Sequence, residues 1–283
     1  MKYIYFSLFF LLTTAYIVHA QDELLLPQKF YLNKGDTLNV HLMTGKDFMP
    51  DGEIKYQSAQ TDKFMLYEGS KKIDLMKTAK DSAVPILSYQ PKSSGLLLVE
   101  MNRKYAINEQ EKDDFVKYAE DADQTKVAEK AKNINKDNIR EKYTWYMKSL
   151  VYSEKSSGNI FEKVLDDEYE IVLKQNPYKF NYGDDVTAIV NYKGKPAPAV
   201  TVMLYVKTVG GNVFPQKLST DGTGQIYFKL SREGLYMLRT ILMLPSTDKN
   251  ADFETWMASY TFAFSSSNEL PNTYKEFGFG NVH

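Results

Sequence analysis

Alternating apolar and polar positions predict β-strands through most of the chain. Leu38, Val40 and Leu42 alternate with Asn39 and His41, which is the two-residue period of a half-buried strand. Gly69-Ser70 separates two short apolar runs and predicts a hairpin, and Asp221-Gly222-Thr223-Gly224 predicts another between residues 216–220 and 225–230. Further strands are predicted near residues 96–101, 169–173, 186–190, 235–244 and 256–264.

Residues 108–152 have a different pattern, because Gly and Pro are absent while Glu, Lys, Asp and Ala are frequent. Helical spacing of apolar residues predicts a helix through Ile139, Tyr143, Met147 and Leu150 that packs on the sheets. A weaker stripe in residues 109–132 predicts a second, solvated helix. This weaker stripe consists of Phe115, Tyr118, Ala119 and Ala122.

These patterns predict a mainly β protein with two immunoglobulin-like or transthyretin-like β-sandwich domains and an α-helical insert between them. The predicted segments are a signal peptide (1–20), an N-terminal β domain (21–107), the helical insert (108–152), a linker (153–167), a C-terminal immunoglobulin-like sandwich (168–264) and a flexible tail (265–283).

The first twenty residues have the features of a secretory signal. Lys2 precedes an almost uninterrupted apolar stretch, and Val18-His19-Ala20 places small residues where a signal peptidase reads them. We expect cleavage after Ala20 and export to the periplasm or the extracellular space. Gln21 rather than Cys follows the cut, which excludes the bacterial lipoprotein route. No later segment is long and apolar enough to span a bilayer, so the mature chain is predicted not to cross one.

Composition excludes several classes of function. With 35 Lys and Arg against 36 Asp and Glu, the net charge of -1 provides no basic field for nucleic acid. The absence of Cys removes thiolate nucleophiles and thiolate metal ligands. Removing the leader leaves only His41 and His283, and no catalytic or phosphate-binding motif is present. We therefore predict a protein that is not an enzyme, with no cofactor and no assignable catalytic, cofactor-binding or metal-ligating residue.

The remaining polar candidates are predicted to be structural. Because Val40 and Leu42 point inward, His41 is expected to face solvent rather than to bind a metal. Asp166-Asp167-Glu168 and Asp184-Asp185 could supply calcium ligands, but both flank strands and are predicted to be solvated edge or turn groups.

Aromatic residues are abundant, at 14% of the chain. Most are predicted to be core, and Trp145, which is offset from the predicted helical stripe, is expected to be exposed. The alternative is that some of these rings line a ligand or partner surface. The rings in question are Tyr143, Trp145, Tyr146, Trp256 and Tyr260.

The order of motifs resembles the NikM-like family of exported bacterial proteins. Turns and strands carry the likeness, and it extends from about residue 24 to residue 264. The matching residues are Pro27, Phe30, Gly35, Gly45, Arg140-Glu141-Lys142-Tyr143, Lys148-Ser149-Leu150, Asn176-Pro177-Tyr178, Gly183-Asp184, Gly194-Lys195-Pro196, Ala199-Val200, Thr220-Asp221-Gly222, Gly224, Gly234-Leu235-Tyr236 and the run from Ala251 to Phe262.

The resemblance implies an exported binding or accessory protein of the cell envelope, linked to nickel or cobalt uptake, with an envelope transporter or outer-membrane receptor as its partner. Typical members carry one His just after the leader and another in a late strand. This chain has no His in residues 21–25, and Leu242 occupies the second position. The alternative function is a carbohydrate- or peptide-binding module, or a structural partner of an outer-membrane transporter, without metal.

Overall fold

The computed structural model describes residues 22–271 and 276–279. The predicted signal peptide, His19 and His283 lie outside the described residues. Half of the chain is strand and 12% is helical, which confirms the mainly β class. The strands are β1 (Asp22–Pro27), β2 (Tyr31–Leu32), β3 (Leu38–Lys46), β4 (Met49–Ile54), β5 (Thr61–Glu68), β6 (Lys71–Asp74), β7 (Leu87–Tyr89), β8 (Gly95–Arg103), β9 (Ala106–Glu111), β10 (Asn138–Ser153), β11 (Tyr169–Leu173), β12 (Asp185–Tyr192), β13 (Lys195–Pro196), β14 (Thr201–Lys207), β15 (Val213–Ser219), β16 (Gln225–Lys229), β17 (Gly234–Pro245) and β18 (Phe253–Phe264), and the helices are α1 (Lys112–Asp121) and α2 (Thr125–Lys132).

A ten-stranded sheet forms the centre of the molecule. Its main path runs β15-β14-β17-β18-β10-β8-β5-β6, and β2 and β9 also pair with β10. β10 and β18 lie parallel, with Glu141 opposite Phe253 at one end and Ser149 opposite Thr261 at the other. Because this pairing joins strands from both halves of the chain, two separate sandwich domains are not confirmed.

Two smaller sheets cover opposite faces of the central sheet. On one face, β1 pairs with β3, and β3 with β4 and β7; the Ser259 hydroxyl of β18 donates to the Glu23 carbonyl of β1 over 3.0 Å. On the other face lie β11, β12, β13 and β16, where the Tyr169 and Thr240 hydroxyls are 2.6 Å apart. That the two sheets lie on opposite faces follows from the alternation of side chains along a strand. Arg239 is the direct cross-strand partner of Ser259 and shares its face, whereas Thr240, the next residue, points to the other face.

The predicted helix through Ile139, Met147 and Leu150 is wrong, because these residues belong to the 16-residue strand β10. β10 is buried from Met147 to Val151 and half-buried over much of its first half, and its apolar and polar residues do not alternate. The two helices observed lie within residues 112–132. The predicted solvated helix is also corrected there: Phe115 is fully buried and stacks on Phe253 with ring centroids 4.9 Å apart.

The two predicted hairpins have different outcomes. The one at Gly69-Ser70 is confirmed, since β5 and β6 pair on either side of it. At Asp221 the turn is present, and the carboxylate accepts the backbone N–H groups of Thr223 (2.8 Å) and Gln225 (3.0 Å). The flanking strands do not pair with each other, however: β15 pairs with β14 in the central sheet and β16 with β12 in the third sheet.

Part of the predicted flexible tail packs against the rest of the protein, whereas residues 266–271 are exposed or half-buried. Phe277 and Phe279 are buried, and the Lys207 ammonium lies 4.4 Å from the centroid of the Phe279 ring. The Gly210 N–H donates to the Glu276 carbonyl over 3.2 Å. Residues 272–275 and 280–283 lie outside the described residues.

In the described part of the chain, no helix is long and apolar enough to cross a membrane. The two helices have ten and eight residues, whereas a membrane span needs about 20.

Candidate ligand-binding cleft

A cleft of about 550 Å³ opens on the central sheet where the chain breaks between β8 and β9. Both strands pair with β10, and Lys104 and Tyr105 form the interruption between them. The cleft is lined by Asp62, Arg103, Lys104, Tyr105, Lys142, Tyr143, Thr144, Tyr146, Glu168, Lys193, Thr247, Glu254, Thr255 and Trp256.

The parallel pairing of β10 with β18 forms the floor of the cleft. Lys142 lies opposite Glu254, and Thr144 lies opposite Trp256. Since alternate residues of a strand share a face, Lys142, Thr144 and Tyr146 lie on one face, next to Glu254 and Trp256. This face of β10 thus presents polar and aromatic side chains to the cleft.

Aromatic rings line the cleft at two depths. Tyr105 is 64% exposed at its mouth, whereas Trp256 is only 6% exposed. The Trp256 indole N–H donates to Glu168 Oε2 over 2.8 Å, so its orientation is fixed. The Lys193 ammonium lies 5.2 Å from the centroid of the same indole, within the range of a cation–π contact. Burial, and after it the charge of Glu168, raises the pKa of Tyr146, which keeps its hydroxyl protonated.

Charges in and around the cleft are balanced. The Lys142 ammonium lies 3.2 Å from Glu254 and 3.9 Å from Asp248. Arg103 lies 3.3 Å from the Glu23 carboxylate. The lining thus carries four cationic residues and three carboxylates, and Glu23 and Asp248 are further partners of two of the cations. The cations of the lining are Arg103, Lys104, Lys142 and Lys193, and its carboxylates are Asp62, Glu168 and Glu254.

A buried polar network adjoins the cleft and corrects the prediction for Asp167. Its side chain is 2% exposed rather than solvated, and it accepts hydrogen bonds from Asn102 (2.6 Å) and Lys63 (3.1 Å). Glu100, with a fully buried side chain, accepts from the Tyr67 hydroxyl over 2.7 Å. Burial, and then the charge of Asp167, raises the pKa of Glu100 to about 7. Of the other acidic pair, Asp185 is exposed as predicted and forms an ion pair with Lys229.

The predicted exposure of His41 and of Trp145 is also wrong. His41 is buried and contacts the Glu53 carboxylate through Nδ1, although its neighbours Val40 and Leu42 are buried as well. Trp145 is 2% exposed. Trp145 lies in the central sheet, which has a sheet layer on each face, so alternation does not separate inward from outward positions there. His41 lies in an outer sheet and is covered by its contact with Glu53 of the adjacent strand β4.

A second buried cluster lies on the opposite face, at the start of β1. Arg239 donates to Asp22 over 2.7 Å. Glu141 is buried and accepts from the Thr255 hydroxyl. Burial raises the pKa of Glu141 to about 7. Within residues 22–271 and 276–279, no three His, Asp or Glu side chains are grouped as a metal site would require.

Fold and cleft together define a mainly β protein with a shallow, aromatic and charge-balanced cleft. The family model for a domain of unknown function, DUF4198, matches residues 18–243, and the chain belongs to this family. The NikM-like label is not confirmed by any named relative.

Comparison with other known proteins adds little to this membership. No curated protein matches the chain. Among solved structures, the three N-terminal domains of the bacteriophage RB49 highly immunogenic outer capsid protein are similar at 11% identity, over 85% of this chain and 59% of that one. The chain thus spans less than two thirds of that structure, and with a TM-score of 0.20 the likeness carries no argument.

The sequence predicts only part of the cleft lining. Of the rings that the sequence offers for a ligand-binding surface, Tyr143, Tyr146 and Trp256 line the cleft. Tyr105 and Lys193 were missed, because each lies in a turn that only the tertiary fold brings to the β10–β18 floor. The one sequence signal for Tyr105 is an aromatic residue beside Lys104 in an otherwise polar stretch.

Proposed function

We propose that the protein is a non-enzymatic binding protein of the cell envelope, and that its cleft binds a neutral carbohydrate. Aromatic rings provide apolar faces on which the C–H groups of a sugar ring pack, while hydroxyl and charged side chains exchange hydrogen bonds with sugar hydroxyls. The combination of Tyr105 at the mouth with Tyr146 and Trp256 further in provides such faces.

The observation that carries this proposal is the charge balance of an aromatic cleft. A cleft for an anion or a cation would present an excess of the opposite charge. Here Lys142 is already matched by Glu254 and Arg103 by Glu23. A ligand without net charge gains hydrogen bonds from these groups and does not have to displace an ion pair.

Binding is tested with the purified chain from residue 21 onward and a panel of neutral tetrasaccharides from cellulose, xylan, starch and chitin. A ligand that binds only the native state raises the melting temperature, and isothermal titration then gives its Kd. Tyr105→Ala is expected to weaken binding by roughly tenfold or more, the scale of one lost aromatic platform. Tyr182→Ala is the matched control, because Tyr182 is 66% exposed and lies outside the cleft.

Two results would contradict the proposal. One is that no saccharide of the panel, at millimolar concentration, shifts the melting temperature. The other is that Tyr105→Ala binds as tightly as the Tyr182→Ala control.

The link to nickel or cobalt uptake and the export of the chain stay predictions from the resemblance and from the leader sequence. Titrating nickel and cobalt against the same protein tests the first through the melting temperature. Locating the protein in cell fractions, and sequencing its N-terminus, tests cleavage after Ala20. A pull-down from an envelope extract tests for a transporter or receptor partner.

A further inference from the structure

The buried network of Lys63, Tyr67, Glu100, Asn102 and Asp167 is continuous with the walls of the cleft. Three chain segments each supply one residue to the cleft lining and the adjacent residue to this network. The pairs, cleft residue first, are Asp62 with Lys63, Arg103 with Asn102, and Glu168 with Asp167. A displacement in the network therefore moves the backbone that carries the cleft walls.

Hydrogen bonds in the network join β5, β8 and the segment that leads into β11. The Lys63 ammonium bridges Glu100 (2.5 Å) and Asp167 (3.1 Å). Asn102 donates to the same Asp167 oxygen over 2.6 Å, and the Tyr67 hydroxyl donates to Glu100 over 2.7 Å. The Glu100 and Asp167 side chains are 0% and 2% exposed, so solvent screens their mutual repulsion very little.

With the adjoining pair of Lys148 and Glu170, the network has three buried carboxylates and two lysines, so one carboxylate has no cation of its own. A third carboxylate, Glu170 of β11, already has its own cation, because its Oε2 lies 2.5 Å from the ammonium of Lys148 on β10. The side chains of Glu170 and Lys148 are 1% and 3% exposed. Glu100 and Asp167 then share the single Lys63. The other titratable groups nearby are the Tyr67 phenol, Lys163, whose ammonium lies 5.2 Å from the Tyr67 ring centroid, and Asp62, Tyr146 and Glu168 of the cleft lining.

Three buried carboxylates with two lysines favour the uptake of one proton. Burial first, and then Asp167, raises the pKa of Glu100 to about 7. The network is also electrostatically coupled to the cleft, because Asp167 is among the charges that raise the pKa of Tyr146, a residue of the lining.

We propose that a proton on Glu100 holds the cleft in its binding shape, and that loss of this proton in mildly alkaline solution loosens the cleft walls and weakens ligand binding. When Glu100 ionises, two carboxylates face one Lys63 in a buried space, and their repulsion separates β8 from the segment before β11. Arg103 and Glu168 move with these two elements. This inference rests on the proposed carbohydrate cleft and adds its regulation by pH.

Affinity for the tightest tetrasaccharide of the panel is measured at pH ~5.5 and ~8.5, on either side of the Glu100 transition. Wild-type affinity is expected to fall by roughly fivefold or more at the higher pH. Glu100→Gln keeps an acceptor for Tyr67 and mimics the protonated acid, so it should bind tightly at both pH values. Glu129→Gln, an exposed residue of α2, is the control and should behave like the wild type.

A wild-type affinity that does not change with pH would overturn the inference. So would a Glu100→Gln variant that keeps the wild-type pH dependence, because a group other than Glu100 would then be its source.

Tryptophan fluorescence of the unliganded protein separates this inference from the proposed function. In a Trp145→Phe background, Trp256 is the remaining tryptophan, and it lies in the cleft bonded to Glu168. We expect its emission to change with a midpoint near pH 7 and the change to disappear on adding Glu100→Gln. If no saccharide binds but this titration is present, the proposed ligand is wrong and the proton-dependent rearrangement stands. If the titration is absent, the rearrangement itself is refuted.

Discussion

The ion pair between Lys148 and Glu170 gives the sharpest test of how the central sheet is joined to the third sheet. The Lys148 ammonium lies 2.5 Å from Glu170 and donates to the Ile171 carbonyl over 3.3 Å. The Glu170 carboxylate also accepts the Leu165 N–H over 3.1 Å. Lys148→Met removes the charge and both of its contacts while keeping an unbranched apolar side chain of similar length.

The expected cost follows from burial. The two side chains are 3% and 1% exposed, so Lys148→Met leaves the Glu170 carboxylate charged and without a cation in a space that excludes water. Breaking a buried pair in this way costs about 3–5 kcal/mol, which includes the desolvation penalty of the remaining charge. An exposed pair contributes at most about 1 kcal/mol.

Urea unfolding followed by circular dichroism measures the free energy of unfolding for four proteins: the wild type, Lys148→Met, the double variant Lys148→Met/Glu170→Gln, and Lys229→Met as the control. The double variant should recover at least half of the loss, because the uncharged amide still accepts from Leu165. Lys229→Met breaks an ion pair whose side chains are 61% and 64% exposed, and it should stay within about 1 kcal/mol of the wild type.

The reasoning is refuted if Lys148→Met is no more destabilising than Lys229→Met. It is also refuted if the double variant is less stable than Lys148→Met alone, because the isolated charge would then not be the source of the cost.

Two further predictions concern pH and backbone geometry. Burial raises the pKa of Glu141 to about 7 from 4.5, so the native state holds a proton that the unfolded state has released, and stability should fall as pH rises between these values by ~3 kcal/mol. Urea unfolding at several pH values should show a weaker fall for Glu141→Gln, and an unchanged slope would contradict the assignment. Gly234 has φ +150°, and a Cβ there would lie 2.3 Å from the Lys207 carbonyl oxygen, so Gly234→Ala should cost more than ~2 kcal/mol. Gly222→Ala, with open space around it, should change stability by less than ~1 kcal/mol; equal losses would count against a steric cause.

Strands with apolar-polar alternation, and short apolar runs such as β8, could be predicted from the sequence, whereas the long strand β10, which mixes polar and aromatic residues, could not. β12 is inward at Val186, Ala188 and Val190 and partly or fully exposed at the residues preceding them, so its alternation is visible. β10 has layers on both faces, and its apolar residues fall by coincidence at intervals of four, four and three, which is also the spacing of a helix stripe. Its Tyr, Trp, Thr and Val content favoured a strand, but that preference is weaker than a periodic pattern.

The cleft was predictable only in part, for a related reason. Tyr146 and Trp256 were recognised as rings able to line a ligand surface, but they are far apart in sequence and meet through the parallel pairing of β10 with β18. Glu100 carried no signal at all, because its raised pKa depends first on burial and then on Asp167, and both come from segments distant in sequence.

The sequence by itself determined the β class of the protein, the positions of its tight turns and the chemical inventory, which lacks thiols and holds few imidazoles. Local backbone preferences and composition are properties of short segments and can be read without a fold. Only the tertiary structure decided which strands share a sheet, which charges are buried and where the cleft opens, because pairing between distant segments and exclusion of water depend on what the rest of the chain places beside each residue.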